Sequence, residues 1–575
     1  MTAADHPQAP DRRRWLALAV VLTAGFMDLL DVTIVNVALP SIQRDLGAGY
    51  AELEWIVAAY VLGFAATLIT GGRLGDIAGR KRMFLVGVAG FTVASALCGL
   101  ATGPATLVAA RFLQGAVAGL MVPQILATIH VTFPPAERAK AFGLWGGVMG
   151  SASAAGLIFG GLLVEADLLG LGWRPIFLVN IPVGVAALVV AWFVVPESRS
   201  PAAPRLDLPG VVLAVTAVLM LVYPLTEGRR LGWPPWTFLV LAGGVALLAV
   251  FAGYERWRTR TAGSPLVDLE LFRRRGFTAG MLAWLIFWIA LGGFFLVWTL
   301  YLQVGLGWPA LRAGLTAVSF ALGAMAAAGL SVQVLTPRFG RRVLMAGALL
   351  NGAGFGAYAW VIAGRGPDVE PWHMIAPLVV AGVGFGLIVA PMIDLVLTGV
   401  PVRAAGSASG LLNTTTQVGM AFGVALAGVL YFGQIDDHSG HGVAEVTPAL
   451  QDELAAAGVP AAERDGIVAG LAACVRDWSA AVDPTEPPAS CRSDAAAGPD
   501  EVRDVVARAA ERANAYNAAR AFGVTLWCAA GILAVVLAAL FALPRRVRPR
   551  DLGAELAADV AGPPVRTGRA PGDRP

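Results

Sequence analysis

Residues 15–39 read WLALAVVLTAGFMDLLDVTIVNVAL, a long apolar stretch interrupted by two acids, Asp28 and Asp31. A helix of about 20 apolar residues crosses a hydrocarbon layer about 30 Å thick, and this stretch is long enough to do so. It follows Arg12, Arg13 and Arg14, as the core of a signal peptide would. It is longer than such a core, holds two acids and shows no clear small-residue cleavage site, so it reads as a retained first span. An acid at the bilayer centre costs roughly 2.5–3.5 kcal/mol, so each carboxylate should face a cavity or a partner. Their i, i+3 spacing puts both on one helical face, where two close carboxylates suit reversible proton binding. For Asp28 a second reading stands equally, a carboxylate near the helix end that is merely hydrated.

Similar apolar blocks recur along the whole chain, giving about fourteen spans, the fifth over 141–164 and the last over 519–543. Hydrophobic residues make up 57% of the 575 and charged residues 14%, against about 25% charged in a soluble domain. That excludes a soluble enzyme. A net charge of +3 implies neither a nucleic acid nor an acidic partner, because the arginines sit in short loops between apolar blocks. One alternate set of loops carries Arg80 to Arg82, Arg138 and Lys140, Arg199 and Arg205, Arg273 to Arg275, Arg338 to Arg342, and Arg403. Both tails join that set, so the positive-inside rule puts them in the cytoplasm. The other loops are short, neutral or acidic.

The blocks divide into a tail 1–14, a six-span unit 15–198, a linker 199–276 with an inserted pair of spans, a second six-span unit 277–543, and a disordered tail 544–575. An amphipathic stretch from Leu266 to Arg275 is expected to lie along the membrane surface. A weak internal repeat supports the two halves: Leu74 to Lys81 and Leu335 to Arg342 align Gly79 with Gly340 ahead of a basic pair. Two related six-helix bundles around a midplane cavity are a transporter plan. The expected fold is therefore an all-α polytopic membrane protein.

Arg111 and Gln114 lie in the fourth span, where an arginine needs an acid or backbone carbonyls; the expectation is that Arg111 meets Asp31 and that Gln114 lines the substrate cavity. The hairpin containing Gly72, Asp76, Gly79 and Arg80 reads as a charged latch or as a topological anchor. Gly150, Gly156, Gly160 and Gly161 in the fifth span favour tight helix packing. Asp394, near Pro391, either binds protons or a cationic substrate in the cavity or caps a proline kink. Asn413 and Gln417 read as cavity groups or as interhelical hydrogen bonds. The acidic loop 433–518 reads as short helices over 447–475 and 500–518, with a possible Cys474–Cys491 disulfide, or as an unstructured spacer. No phosphate-binding loop, hydrolase elbow or zinc-protease motif occurs, so neither ATP, another cofactor nor a metal is expected.

These residues carry a resemblance. Leu30 to Pro40, the 72–82 hairpin, Arg111 with Gln114 and Gly115, Trp173-Arg174 with Phe177, Asn180 and Pro182, and Ser409 to Gly419 together resemble the major facilitator superfamily. The resemblance is to its fourteen-span drug:proton antiporters and covers nearly the full chain. It implies alternating access, export driven by proton influx, Asp31 as the coupling acid and Arg111 linked to coupling. Two departures stand out: Gly156 is followed by Leu157 where that branch has proline, and Thr416 precedes Gln417 where it often has arginine. The expectation is a monomeric, multi-pass cell-membrane exporter of lipophilic or cationic drugs, dyes or antibiotics. An importer on the same fold, or a sensor without flux, are the alternatives.

Overall fold

The computed structural model describes residues 12–48, 50–199, 207–228, 231–261, 266–267, 269–397, 400, 405–437, 439–480, 490–493 and 500–541. The two tails expected at 1–14 and 544–575, apart from residues 12–14, and Arg205 and Arg403 therefore lie outside the described residues. Among them thirteen stretches are long and apolar enough to cross a membrane. The expected fifth span lies in a further helix, Pro135–Glu165.

The first bundle consists of α1 (Arg12–Leu46), α2 (Tyr50–Ala78), α3 (Arg80–Gly99), α4 (Pro104–Thr132), α5 (Pro135–Glu165), the single turn α6 (Pro175–Leu178) and α7 (Asn180–Val194). Proline opens α4, α5 and α6, where its missing N–H costs nothing. Between α2 and α3 the chain turns on Gly79 at φ 111°, a backbone conformation that side chains oppose. The core of this bundle buries Phe84, Phe91, Met121, Ile125, Phe142 and Trp145.

The inserted pair is α8 (Leu208–Glu227) and α9 (Pro235–Thr261). Val218, Val222 and Leu225 of α8 pack with Leu62 and Ala65 of α2, and with Ala421 of the second bundle, so the pair sits outside both bundles. The outer surface of α9 shows Phe238, Leu239, Val245 and Val250, as a lipid-facing helix does. The stretch expected along the membrane surface behaves differently. Leu266, Val267 and Leu271 are buried, and Leu266 and Val267 pack against Ile69, Ala214 and Phe251. Their apolar side chains find a protein groove under the inserted pair, which removes them from solvent without a membrane.

The second bundle runs α10 (Arg275–Leu300), α11 (Ala310–Leu330), the single turn α12 (Thr336–Phe339), α13 (Arg341–Arg365), α14 (Pro371–Leu397), α15 (Ala405–Asp437) and, after an excursion, the long last helix α19 (Asp500–Leu540). Two π-helical turns, Tyr301–Gly305 and Ser331–Leu335, extend α10 and α11. An aromatic cluster of Trp284, Phe287, Trp288, Phe294, Phe320 and Phe385 fills its centre.

The excursion is helical, not a spacer. It comprises α16 (Ser439–Ala456), α17 (Ala461–Ala480), the turn α18 (Ser490–Ser493) and the start of α19 (Asp500–Leu540), which continues unbroken into the last span. Val443, Leu450, Leu454, Leu471, Val475, Val502 and Val505 give the unit its own apolar core. A disulfide joins Cys474 to Cys491.

Candidate functional site

Helices α2 and α4 press together through glycines. A Cβ on Gly115 would stand 2.0 Å from the Tyr60 carbonyl oxygen, and one on Gly63 2.3 Å from that of Phe112. Close approach of this kind, which only glycine permits, brings Arg111 of α4 across to α1. There the guanidinium donates through Nη1 to Asp31 Oδ2, the expected pairing, and also to Gln114 Oε1 at 2.8 Å. Its Nε donates to the Ile56 carbonyl of α2 at 3.2 Å, and its Cζ lies 4.3 Å from the Tyr60 ring centroid. Asp31 Oδ1 accepts from Gln114 Nε2 and from Asn180 Nδ2 of α7, each at 2.9 Å. Asn180 in turn donates to Ser95 Oγ at 3.0 Å, and Ser95 donates to the Phe177 carbonyl. Asp31, Arg111 and Gln114 are exposed by 0%, 1% and 0%, so the pair is sealed from solvent in this conformation.

Asp28 is separate from that pair despite sharing its helix face. It is buried and accepts from the Tyr60 hydroxyl. Both acids are thus tied to α2, Asp28 through Tyr60 and Asp31 through Arg111 and Ile56. Tyr60 and Asn180 received no site role from the sequence reading; Asn180 was noticed only as part of the resemblance.

A second buried ion pair lies at the hairpin. Arg80 donates to Asp76 Oδ1 at 2.6 Å, with both side chains almost fully buried. The same carboxylate accepts the backbone N–H groups of Gly406 and Ser407 at 3.1 Å each. Those amides are orphan donors at the start of α15, where the helix dipole favours an anion. The hairpin of the first bundle therefore grips a helix end of the second. Arg80 is anchored behind by its backbone N–H and guanidinium to Ser198. Gly72 allows the approach: a Cβ there would stand 2.2 Å from the Gly406 carbonyl oxygen. Because that neighbour is backbone, Gly72→Leu should lower the closed population roughly tenfold, at the 1–3 kcal/mol of an overpacked contact. Faster maleimide labelling of a cysteine placed at Ser409, which is buried beside the seam, would register this.

Of the other expected groups, Asp394 of α14 is half-buried and feels the charge of Arg138 on α5, across the bundle boundary. Nearby, His130 Nε2 lies 3.3 Å from the Val400 carbonyl. Among the described residues Asn413 shows no interhelical bond; its amide donates to the Ser409 carbonyl of its own helix at 2.9 Å, and Asn413 and Gln417 are both half-buried. The interhelical bond comes instead from Trp284, which donates to Thr416 at 2.8 Å, the position where the resemblance led one to look for arginine. Gly156 and Gly160 are tight against α1, where a Cβ would stand 1.8 Å from Thr33 Oγ1 and 3.0 Å from Val37. Gly161 faces Leu311 of α11 more loosely, and the surroundings of Gly150 lie outside the described residues. At the far end of α1, Asp45 accepts from Arg174 at 2.6 Å and from Trp173 at 3.0 Å, contacts that hold its carboxyl below the usual range.

The family model of the Major Facilitator Superfamily matches residues 21–424. Over 550 residues, 96% of this chain and 95% of the other, the sequence is 40% identical to a probable actinorhodin transporter of Streptomyces coelicolor. It is 36% identical over 430 residues to the tetracenomycin C resistance and export protein of Streptomyces glaucescens, covering 74% of this chain and 77% of that one. Among solved structures, the human organic anion transporter MFSD10 superposes with a TM-score of 0.53 at 16% identity, over 73% of this chain and 94% of that one. That likeness concerns the fold.

Proposed function

From the premise that this chain belongs to the Major Facilitator Superfamily, a family of membrane transporters and not enzymes, we propose that it is a proton-coupled exporter of small lipophilic compounds, antibiotic natural products foremost. The observation that carries this reading is the sealed Asp31–Arg111 pair with its Gln114 and Asn180 bonds. A buried pair contributes little net stability, yet removing one partner costs about 3–5 kcal/mol. Protonation of Asp31 does that reversibly: the carboxyl loses its charge, and Arg111 is left as a buried cation that must find other partners.

Helix α2 is the element that would transmit the change. Near one end it holds Arg111 through Ile56 and Asp28 through Tyr60; twenty residues on, about 30 Å along a helix, it carries Asp76 of the latch. A proton taken up at one end would therefore bias the bundle contact at the other, and alternating access would follow from rocking of the halves. Asp28 is the second candidate acid. Asp394, facing Arg138, serves the seam between the bundles in this scheme, in place of a cavity acid. No ATP or metal enters it, and a monomer suffices.

Two observations support a cytoplasmic hairpin and cytoplasmic tails. Basic residues gather in that set of loops, and the Cys474–Cys491 disulfide sits on the opposite side, where an oxidising compartment would preserve it. The name of the tetracenomycin C resistance and export protein supports export over import. The near full-length match to the probable actinorhodin transporter includes the region of the outer helical unit, which favours a dedicated natural-product exporter over a broad multidrug pump. The test is flux in inverted vesicles under an imposed proton gradient, with antibiotics and lipophilic dyes as candidates. Gradient-driven accumulation supports export; release of preloaded substrate under the same gradient would indicate an importer.

A further inference from the structure

A groove of about 300 Å³ lies between α5 of the first bundle and α11, with its π-helical turn, of the second. Along α5 its wall runs from Lys140 to Ser151, and along the second bundle from Gln333 to Met325. Its surface is mainly apolar, and glycines hollow it out. No atom outside the local helix comes within 4 Å of a Cβ built on Gly329, so the space there is open. Leu144 and Met325 are 45% and 43% exposed on its flank, so the groove opens sideways toward the surface that faces lipid.

Its polar groups are not scattered. Lys140 and Gln333 both sit at the hairpin end, where the basic loops gather, and Lys140 lies 5.0 Å from the ring of Trp15, an aromatic placed as membrane-interface residues are. From Lys140 to Ser151 the groove spans about 16 Å of helix, half of a hydrocarbon layer about 30 Å thick. One cation at the level of the headgroups, followed by an apolar trough one leaflet deep, is complementary to an amphiphile with an anionic head and a single acyl chain inserted.

We propose that this groove binds an anionic phospholipid, its phosphate on Lys140 and Gln333 and one acyl chain along Gly147 and Gly329. The two walls belong to different bundles, so the lipid bridges the seam that must open for the hairpin end to move. Membrane composition would then tune the transporter directly, a property separate from proton coupling and from substrate choice.

Native mass spectrometry of the full-length protein with added phosphatidylglycerol or phosphatidylcholine tests this. Wild type should retain one tightly held phosphatidylglycerol and hold phosphatidylcholine less well. Lys140→Gln, at an exposed position, should weaken phosphatidylglycerol retention about fivefold, the usual contribution of one lysine at an anionic surface. Gly329→Leu fills the trough at an open helical position that tolerates it, and should abolish the retained lipid. Equal retention by wild type and both variants, or equal retention of the two lipids, overturns the proposal. Loss in Lys140→Gln with Gly329→Leu unchanged also overturns it, since that is a surface headgroup contact without a groove.

Discussion

Asp31→Asn is expected to reduce gradient-driven accumulation in inverted vesicles by at least about 100-fold, the lower range for loss of a proton-transferring group. Asparagine keeps the shape, but its single oxygen can accept either from Arg111 or from Gln114 and Asn180, which bond different oxygens of Asp31, and it cannot exchange a proton at physiological pH. Downhill exchange of substrate should survive, because the helices can still rock. Arg111 would then be a buried cation without its counter-charge, so a fall in melting temperature is expected alongside. The double variant Asp31→Asn, Arg111→Gln separates the two effects: it should recover much of the stability and none of the uphill transport. Accumulation that survives Asp31→Asn would move the coupling to Asp28 or Asp394.

Asp76→Ala should have the next largest effect. It strips Arg80 of a partner bonded at 2.6 Å and leaves the Gly406 and Ser407 amides unsatisfied at the seam. Removing one member of such a buried pair costs about 3–5 kcal/mol, enough to shift a two-state equilibrium by well over a factor of ten toward an open hairpin end. Maleimide labelling of Ser409→Cys should accelerate at least about tenfold, while transport falls as the closed state becomes scarce. Asp76→Asn keeps an acceptor for one of the two amides, which bond different oxygens of Asp76, and should lie between wild type and alanine. Unchanged labelling in Asp76→Ala would mean that the hairpin anchors topology only.

The spans were legible because membrane insertion demands long apolar blocks, and 15–39 already met that demand. Asp31 and Arg111 could be paired from sequence for a related reason: each alone would be too costly to bury, and each is the other's natural remedy. Asp28 was harder, because its partner Tyr60 looks like one more amphipathic aromatic in an apolar span. The target of Asp76 was out of reach, since it consists of backbone amides, and every residue has those. Leu266 to Arg275 went astray because an amphipathic stretch fits a protein groove as well as a membrane surface. Of the two readings of Asn413, the interhelical bond was not legible because an asparagine within a helix can bond its own preceding turn as readily as a neighbouring helix, and the cavity reading stands as it was. Composition left the 433–518 region open between short helices and a spacer, and the unbroken run of α19 from that region into the last span was not legible.

The central claim is that proton and substrate movements are coupled through Asp31. The most direct measurement uses purified protein in proteoliposomes holding a pH-sensitive dye, with a substrate gradient imposed and no initial pH difference. In wild type, outward-to-inward substrate flow should drive protons the opposite way, giving a pH change that scales with flux and vanishes in Asp31→Asn. Substrate flux of equal size in wild type with no accompanying pH change would contradict the account.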